Sequence, residues 1–157
     1  MQYVVCVVVG LLAGFAGAYL FEQTAARSAG PELEILSTPE QDALNLPFAE
    51  GVRIGDVIVL SGQIGAKPGS MTLVPGGVQA ETRQTLENIK ASLERYGSSM
   101  DRVFKCTVFM KDMADWPAMN EVYVEMFAGH RPARSALGAS GLALDGNVEI
   151  ECFALAG

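Results

Sequence analysis

Two residues near the C-terminus have side chains suited to chemistry on a small organic acid. Arg134 follows Pro132 and Ala133, and Glu149 lies in an alternating apolar and acidic segment. A guanidinium is planar and permanently charged, so it can grip a carboxylate through two parallel hydrogen bonds. A carboxylate can accept a proton from an attacking water when its pKa suits the task. Together these residue types indicate binding of an acidic substrate beside an activated water.

Each candidate also has a purely structural interpretation. An arbitrary arginine more often belongs to an ion pair, and both Glu149 and Glu151 fit the solvated face of a strand. Ser61 has no Gly-x-Ser-x-Gly elbow around it, and His130 is the only histidine in the chain, so a serine triad is not indicated. Asn120 fits an exposed position on a helix. The residue types alone therefore leave the site open.

The elements that must position these residues follow from hydrophobic periodicity. Residues 52–54, 57–64, 103–110, 134–137 and 148–155 have strand patterns, whereas 78–96 and 116–127 have apolar residues at helical spacing. Gly55 and Asp56 predict a tight hairpin turn between the first two strands. This order predicts an α+β fold, with a mixed β-sheet covered by two helices on one face.

These segments resemble the RidA family, also called YjgF/YER057c/UK114, of enamine and imine deaminases. The resemblance rests on four motifs and extends from about Leu46 to the C-terminus. The motifs are Ser61-Gly62-Gln63-Ile64, the strand from Cys106 to Asp112, the helical run from Asn120 to Tyr123, and Pro132-Ala133-Arg134-Ser135. The resemblance implies the chorismate-mutase-like fold of that family, and a barrel-like homotrimer with its sites in the clefts between subunits.

The same resemblance implies an activity and roles for particular residues. The expected reaction is hydrolysis of reactive 2-enamino or 2-imino acids to 2-keto acids and ammonia, with no cofactor and no metal. Arg134 matches the arginine that binds the substrate carboxylate, and Glu149 matches the glutamate that positions or activates water. Ser61 and Asn120 match polar residues in the cleft or at its rim. An imino acid, an enamino acid or a keto acid is thus the expected ligand.

Two substrate-binding positions depart from the family pattern. Many active members have tyrosine where this chain has Phe48, so only the aromatic wall is kept here. Many also have cysteine where Ala136 stands, although the backbone groups of that residue can still bond ligand or water. A trimeric protein that binds or senses a small carboxylate without turnover is therefore the alternative function. Endoribonuclease activity, a label used for parts of the family, is a third possibility.

Composition limits the partners and the metal chemistry. The net charge is -7 at pH 7, and an acidic surface without basic clusters does not favour nucleic acid as a partner. Cys6, Cys106 and Cys152 form no CxxC motif, and a single histidine gives no zinc-binding pattern. Cys106 and Cys152 fit small core residues, and they could pair if the domain is exported. The sequence does not show how far apart they are.

The N-terminal segment has a different character from the rest of the chain. Residues 3–21 contain no charged side chain, and about 20 apolar residues are enough to cross a bilayer. A signal peptide or membrane anchor with a linker is predicted for residues 1–30, and the RidA-like domain for 31–157. A buried helix is the alternative for the apolar run. The predicted location is membrane-anchored or exported, with the cytoplasm as the alternative.

Overall fold

A computed structural model describes residues 30–157. Within this range the chain forms seven strands and three α-helices. The strands are β1 (Leu33–Leu36), β2 (Gly51–Ile54), β3 (Val57–Leu60), β4 (Gln63–Ile64), β5 (Val103–Met110), β6 (Ala133–Gly138) and β7 (Val148–Leu155). The helices are α1 (Pro39–Ala43), α2 (Gly77–Arg95) and α3 (Trp116–Phe127).

The described strands form one mixed sheet in the order β1-β2-β3-β7-β5-β6, and β4 also pairs with β7. Strands β5 and β6 are parallel, whereas the other pairs are antiparallel. A parallel pair needs a crossover connection, which α3 supplies between β5 and β6. The predicted α+β fold is confirmed. The periodicity missed β1 and α1, and it joined β3 and β4 into a single strand.

The predicted hairpin lies between β2 and β3. Ile54 pairs with Val57, so Gly55 and Asp56 form the turn. Gly55 has a φ of 57°, a left-handed conformation that glycine adopts at little cost.

Helices α2 and α3 cover only one face of the sheet. Along β7, Val148, Ile150 and Cys152 are buried, whereas Glu149 and Glu151 between them are partly exposed. The buried side chains form one core cluster with apolar residues of the two helices: Leu86, Ile89 and Leu93 from α2, and Met119, Tyr123 and Phe127 from α3. We call this side the helix-covered face and the other side the helix-free face.

Cys106 and Cys152 are joined by a disulfide inside this core. They lie directly opposite each other on β5 and β7, with their Cα atoms 4.1 Å apart, and both are buried. The pairing follows from the sheet order, because β7 passes between β3 and β5. Strand order is set by contacts between distant parts of the chain, so the sequence pattern left this pairing open.

The expectations for the N-terminus need correction. Residues 3–21 lie outside the described residues, and no helix within residues 30–157 is long and apolar enough to cross a membrane. Helix α2 has sufficient length, but its exposed side carries Glu87, Lys90 and Glu94. The predicted signal or transmembrane helix, and the membrane-anchored or exported location based on it, are therefore withdrawn. The domain boundary at residue 31 stays a prediction.

Candidate functional site

The guanidinium of Arg134 lies against helix α3. Arg134 is on the edge strand β6, and its Nη1 donates a hydrogen bond to Asn120 Oδ1 at 2.6 Å. Its Cζ lies 4.6 Å from the ring centre of Tyr123 and 5.8 Å from that of Trp116. Residues 116, 120 and 123 are spaced i, i+4 and i+7, so they share one face of the helix. The two cation–π contacts and the hydrogen bond together fix the plane of the guanidinium.

The rest of this guanidinium has no partner in the described part of the chain. Asn120 is its one hydrogen-bond acceptor among residues 30–157, and none of the ion pairs found there includes Arg134. The free Nε and Nη2 form one edge with two parallel donors, an arrangement that suits a carboxylate. The simpler explanation of Arg134 as half of an ion pair is therefore not supported within the described part of the chain.

Glu149 lies in the middle of β7 on the helix-free face, paired with Phe109 of β5 and Ile64 of β4. Its carboxylate sits directly against the backbone of Gly62, where an added Cβ would be 2.0 Å from Oε1. Burial, and then the negative charge of Glu151, raise the pKa of Glu149. A carboxylate with a raised pKa is a stronger base toward water than an ordinary glutamate.

Ser61 and Phe48 are linked to this carboxylate through their chain neighbours, Ser61 through Gly62 and Phe48 through Ala49, which Ser61 contacts. Ser61 immediately precedes Gly62, and its Oγ donates to the carbonyl of Ala49 at 2.7 Å. That hydroxyl has therefore used its proton, so toward a ligand it can act only as an acceptor. Phe48, next to Ala49, is 53% exposed and presents its ring to solvent.

A buried carboxylate that the sequence did not single out ties the loop before β2 to α2. Glu50 accepts hydrogen bonds from Arg95 Nη1 at 2.8 and 3.0 Å, from Tyr96 Oη at 2.6 Å and from Ser92 Oγ. Burial and the hydrogen bond to Glu50 raise the pKa of Tyr96 to about 12, so this phenol stays a donor. Nothing in the local pattern separates Glu50 from the surface glutamates, because its partners lie far away in sequence.

A second buried carboxylate fixes the start of β7. Glu81 of α2 is almost fully buried, and it accepts hydrogen bonds from the backbone N at 2.7 Å and from the side-chain amide of Asn147. Asn147 lies two residues before Glu149. The helix therefore sets where the strand that carries Glu149 begins.

The strand register places Arg134 and Glu149 on opposite faces of the sheet. Arg134 is in register with Cys106, and Cys106 pairs with Cys152 on the helix-covered face. Successive side chains of a strand point to alternate faces, and Glu149 is an odd number of residues from Cys152. The two side chains therefore do not face a common volume within one chain.

The candidate residues thus form two groups, which we call half-sites. The arginine half-site consists of Arg134, Asn120, Tyr123, Trp116 and Ala136, the last being two residues from Arg134 on the same strand face. The glutamate half-site consists of Glu149, Gly62, Ser61 and Phe48. The sequence did not single out Trp116 and Tyr123 as site residues, although their helical spacing from Asn120 was a usable signal.

Known proteins share this fold and much of this sequence. A family model described as endoribonuclease L-PSP matches residues 40–156. A RutC family protein of Pyrococcus horikoshii is 44% identical over 108 residues, which cover 69% of this chain and 86% of that protein. The mouse protein named 2-iminobutanoate/2-iminopropanoate deaminase is 38% identical over 124 residues, which cover 79% of this chain and 92% of that one.

A solved structure agrees with these similarities. The crystal structure of E. coli TdcF with bound serine has a TM-score of 0.67 and 36% sequence identity to this chain, covering 71% of this chain and 90% of that chain. The family model spans most of the sequence, and the relatives match over more than two thirds of it. The chain therefore belongs to the RidA (YjgF/YER057c/UK114) family, whose matching model is described as endoribonuclease L-PSP.

Proposed function

We propose that this protein hydrolyses reactive 2-enamino and 2-imino acids to 2-keto acids and ammonia. The observation that carries the proposal is Arg134, which is held flat by α3 with one edge free for a carboxylate. The mouse relative is named for this reaction on 2-iminobutanoate and 2-iminopropanoate. The TdcF structure contains serine, which also bears a carboxylate beside a nitrogen-bearing carbon.

The proposed mechanism uses only positioning and one base. Arg134 binds the carboxylate, and an enamine substrate tautomerises to the imine. Water then attacks the C=N carbon while Glu149 accepts a proton from it, and the carbinolamine collapses to a keto acid and ammonia. Free imines already hydrolyse in water, so proximity and a placed charge are enough to accelerate the reaction.

We further propose that each site is completed between two subunits of a trimer. The half-sites face different sides of the sheet, so a common substrate needs the arginine half-site of one chain and the glutamate half-site of another. Two rows of apolar side chains also cross the helix-free face: Leu33, Ile54, Val57 and Leu155 form one, and Ile35, Val52, Val59 and Phe153 form the other. Leu33 and Ile35 are 59% and 61% exposed. A further copy of the chain would cover such a face.

A binding protein without turnover is the second candidate, and Phe48 favours it. The exposed ring of Phe48 brings no hydroxyl to the glutamate half-site, where many active members of the family have tyrosine. Such a sensor would use Arg134 in the same way, and it would release no ammonia.

The test is ammonia release from freshly generated 2-aminoacrylate, measured together with the affinity for a stable keto acid. Arg134→Lys keeps the charge and loses the two parallel hydrogen bonds of the planar guanidinium. The binding free energy and the stabilisation of the transition state should each fall by about 2–5 kcal/mol. Glu149→Gln keeps the size and removes the base, so affinity should persist while turnover falls by about 10²-fold.

Arg131→Lys is the matched control, because Arg131 is an exposed arginine of the same segment. It should behave as wild type in both assays. Wild-type turnover that survives Arg134→Lys would reject the assigned site. A wild-type protein that binds keto acids but releases ammonia no faster than the uncatalysed reaction would identify the sensor.

A further inference from the structure

Tyr123 carries a buried hydroxyl that the mechanism above does not use. The residue is only 6% exposed, and its Oη has no hydrogen-bond partner among residues 30–157. Leaving a buried hydroxyl unpaired is unfavourable, and nearly all such groups in folded proteins find a partner. This orphaned group therefore needs an acceptor that the described chain does not supply.

The hydroxyl can act only as a donor toward an anion. Burial raises the pKa of Tyr123 to about 12, although the positive charge of Arg134 opposes part of this rise. The phenol therefore keeps its proton at physiological pH. A carboxylate is the acceptor that such a donor binds most strongly.

The second tyrosine of the described chain shows what this pairing looks like when complete. Burial is also the main cause that raises the pKa of Tyr96 to about 12. Its hydroxyl donates to the Glu50 carboxylate at 2.6 Å, and Arg95 binds the same carboxylate through Nη1. One carboxylate thus receives hydrogen bonds from an arginine and a tyrosine. Tyr123 and Arg134 repeat this combination of donors with no carboxylate between them.

The position of Tyr123 fits the same arrangement. The guanidinium of Arg134 stacks over the Tyr123 ring at 4.6 Å from its centre, and the phenolic oxygen lies at the rim of that ring. The protein neighbours offer little else, because Asn120 Oδ1 already accepts from Arg134 and Phe127 presents an apolar ring at 4.5 Å. The guanidinium that would hold a carboxylate therefore packs on the same ring that carries the unpaired hydroxyl.

We propose that Tyr123 completes the carboxylate-binding site, with its hydroxyl donating a hydrogen bond to the substrate carboxylate that Arg134 holds. This rests on the proposed role of Arg134 and assigns the substrate group a third donor. Two donors from Arg134 and one from Tyr123 would fix the orientation of the carboxylate. That orientation decides which face of the neighbouring C=N carbon is open to water. Tyr123 is in this way a residue that determines specificity for carboxylates.

The test compares Tyr123→Phe with Tyr96→Phe in the full chain. Pyruvate is the probe, with its Kd measured by calorimetry and the melting temperature measured without ligand. Tyr123→Phe keeps the ring under Arg134 and removes only the donor, so the Kd should rise by about tenfold. Because the lost hydroxyl had no partner in the free protein, the melting temperature should stay the same or rise.

Tyr96→Phe should give the opposite result, since it removes a hydroxyl that already has an acceptor. Its melting temperature should fall, and its Kd for pyruvate should stay within about twofold of wild type. An unchanged Kd in Tyr123→Phe would overturn the proposal, as would wild type that does not bind pyruvate. Binding is measured apart from turnover. A wild type that binds pyruvate without releasing ammonia from imino acids would thus reject only the deaminase, and the Kd comparison would still decide the role of Tyr123.

Discussion

At the residue scale, the proposed reaction depends on two charged side chains in different surroundings. Arg134 has a permanent charge, and its neighbours on α3 determine the orientation of its plane. Glu149 can gain or lose its charge, and its neighbours on the sheet determine its basicity. A substrate-binding arginine needs rigidity, whereas a general base needs a raised pKa. Each side chain has the environment that its proposed task requires.

Turnover should fall at acidic pH as Glu149 becomes protonated. Burial first, and the charge of Glu151 second, raise the pKa of Glu149, so this fall should lie above the usual range of a glutamate. The base works only when it is deprotonated. Glu151→Gln removes the neighbouring charge, lowers the pKa of Glu149 and should shift the acidic limb of kcat/KM to lower pH.

The pH profiles of wild type, Glu151→Gln and Glu87→Gln check this prediction. Glu87 is an exposed glutamate of α2, and its replacement should leave the acidic limb of the kcat/KM profile unchanged. If the acidic limb of kcat/KM stayed in place or moved to higher pH in Glu151→Gln, the assignment of Glu149 as the titrating base would be contradicted.

At the element scale, the break between β3 and β4 shapes the proposed glutamate half-site in a way that a continuous strand would not. Ser61 turns its hydroxyl to the carbonyl of Ala49, and Gly62 leaves room for the Glu149 carboxylate against the backbone. The strand predicted over residues 57–64 ran through this break, although Gly62 within it was a usable signal. A glycine inside a strand pattern can mark a close approach by another group, and here that group is the candidate base.

Gly62→Ala should therefore reduce turnover with little effect on stability. The new Cβ would lie 2.0 Å from Glu149 Oε1, so the carboxylate must move. The displaced atoms are the end of a flexible side chain, so the fold can tolerate the change. A misplaced base should cost about 10- to 10²-fold in kcat, measured by ammonia release alongside a thermal melt.

Gly141→Ala is the control, because a Cβ at Gly141 meets nothing within 4 Å. It should melt and turn over like wild type. If Gly62→Ala kept full turnover, the position of the Glu149 carboxylate would not matter to the reaction.

At the scale of the whole molecule, one chain holds both half-sites but directs them to different sides of the sheet. The apolar rows of the helix-free face give a reason for chains to associate, and association gives a way to join unlike half-sites. This hypothesis requires that an intact site combines the native Arg134 of one subunit with the native Glu149 of another.

Mixed assemblies of two inactive variants should therefore regain activity. If Arg134→Lys and Glu149→Gln chains are co-expressed in equal amounts and assemble at random, about a quarter of the interfaces will combine a native Arg134 with a native Glu149. Roughly that fraction of wild-type ammonia release should return, whereas either variant alone should be nearly inactive. Light scattering on the same samples should report a trimer.

The control is a chain that carries both Arg134→Lys and Glu149→Gln. Expressed alone, it should stay inactive. A mixture that regains nothing while scattering as a trimer would refute the shared site. A monomer in solution would refute the assembly itself.

The sequence by itself determined most of the secondary structure and the identity of most of the candidate residues. The periodicities of helices and strands are local properties, so they located α2, α3 and most strands, and the Gly55-Asp56 pair located the hairpin. The motif around Arg134 and the position of Glu149 on its strand were equally local signals. The charge-free run at residues 3–21 was also a local signal, but the expectation of a membrane or exported protein built on it has been withdrawn.

Only the tertiary structure decided which of these residues meet. Strand order is not local, and it put β7 beside β5, which joined Cys106 to Cys152 and sent Arg134 and Glu149 to opposite faces. Docking of α3 on the edge strand supplied Asn120 and the Tyr123 ring to Arg134. The same docking buried a hydroxyl without an acceptor. Strand order and helix docking depend on which distant surfaces of the chain pack together. A local sequence pattern does not specify those contacts.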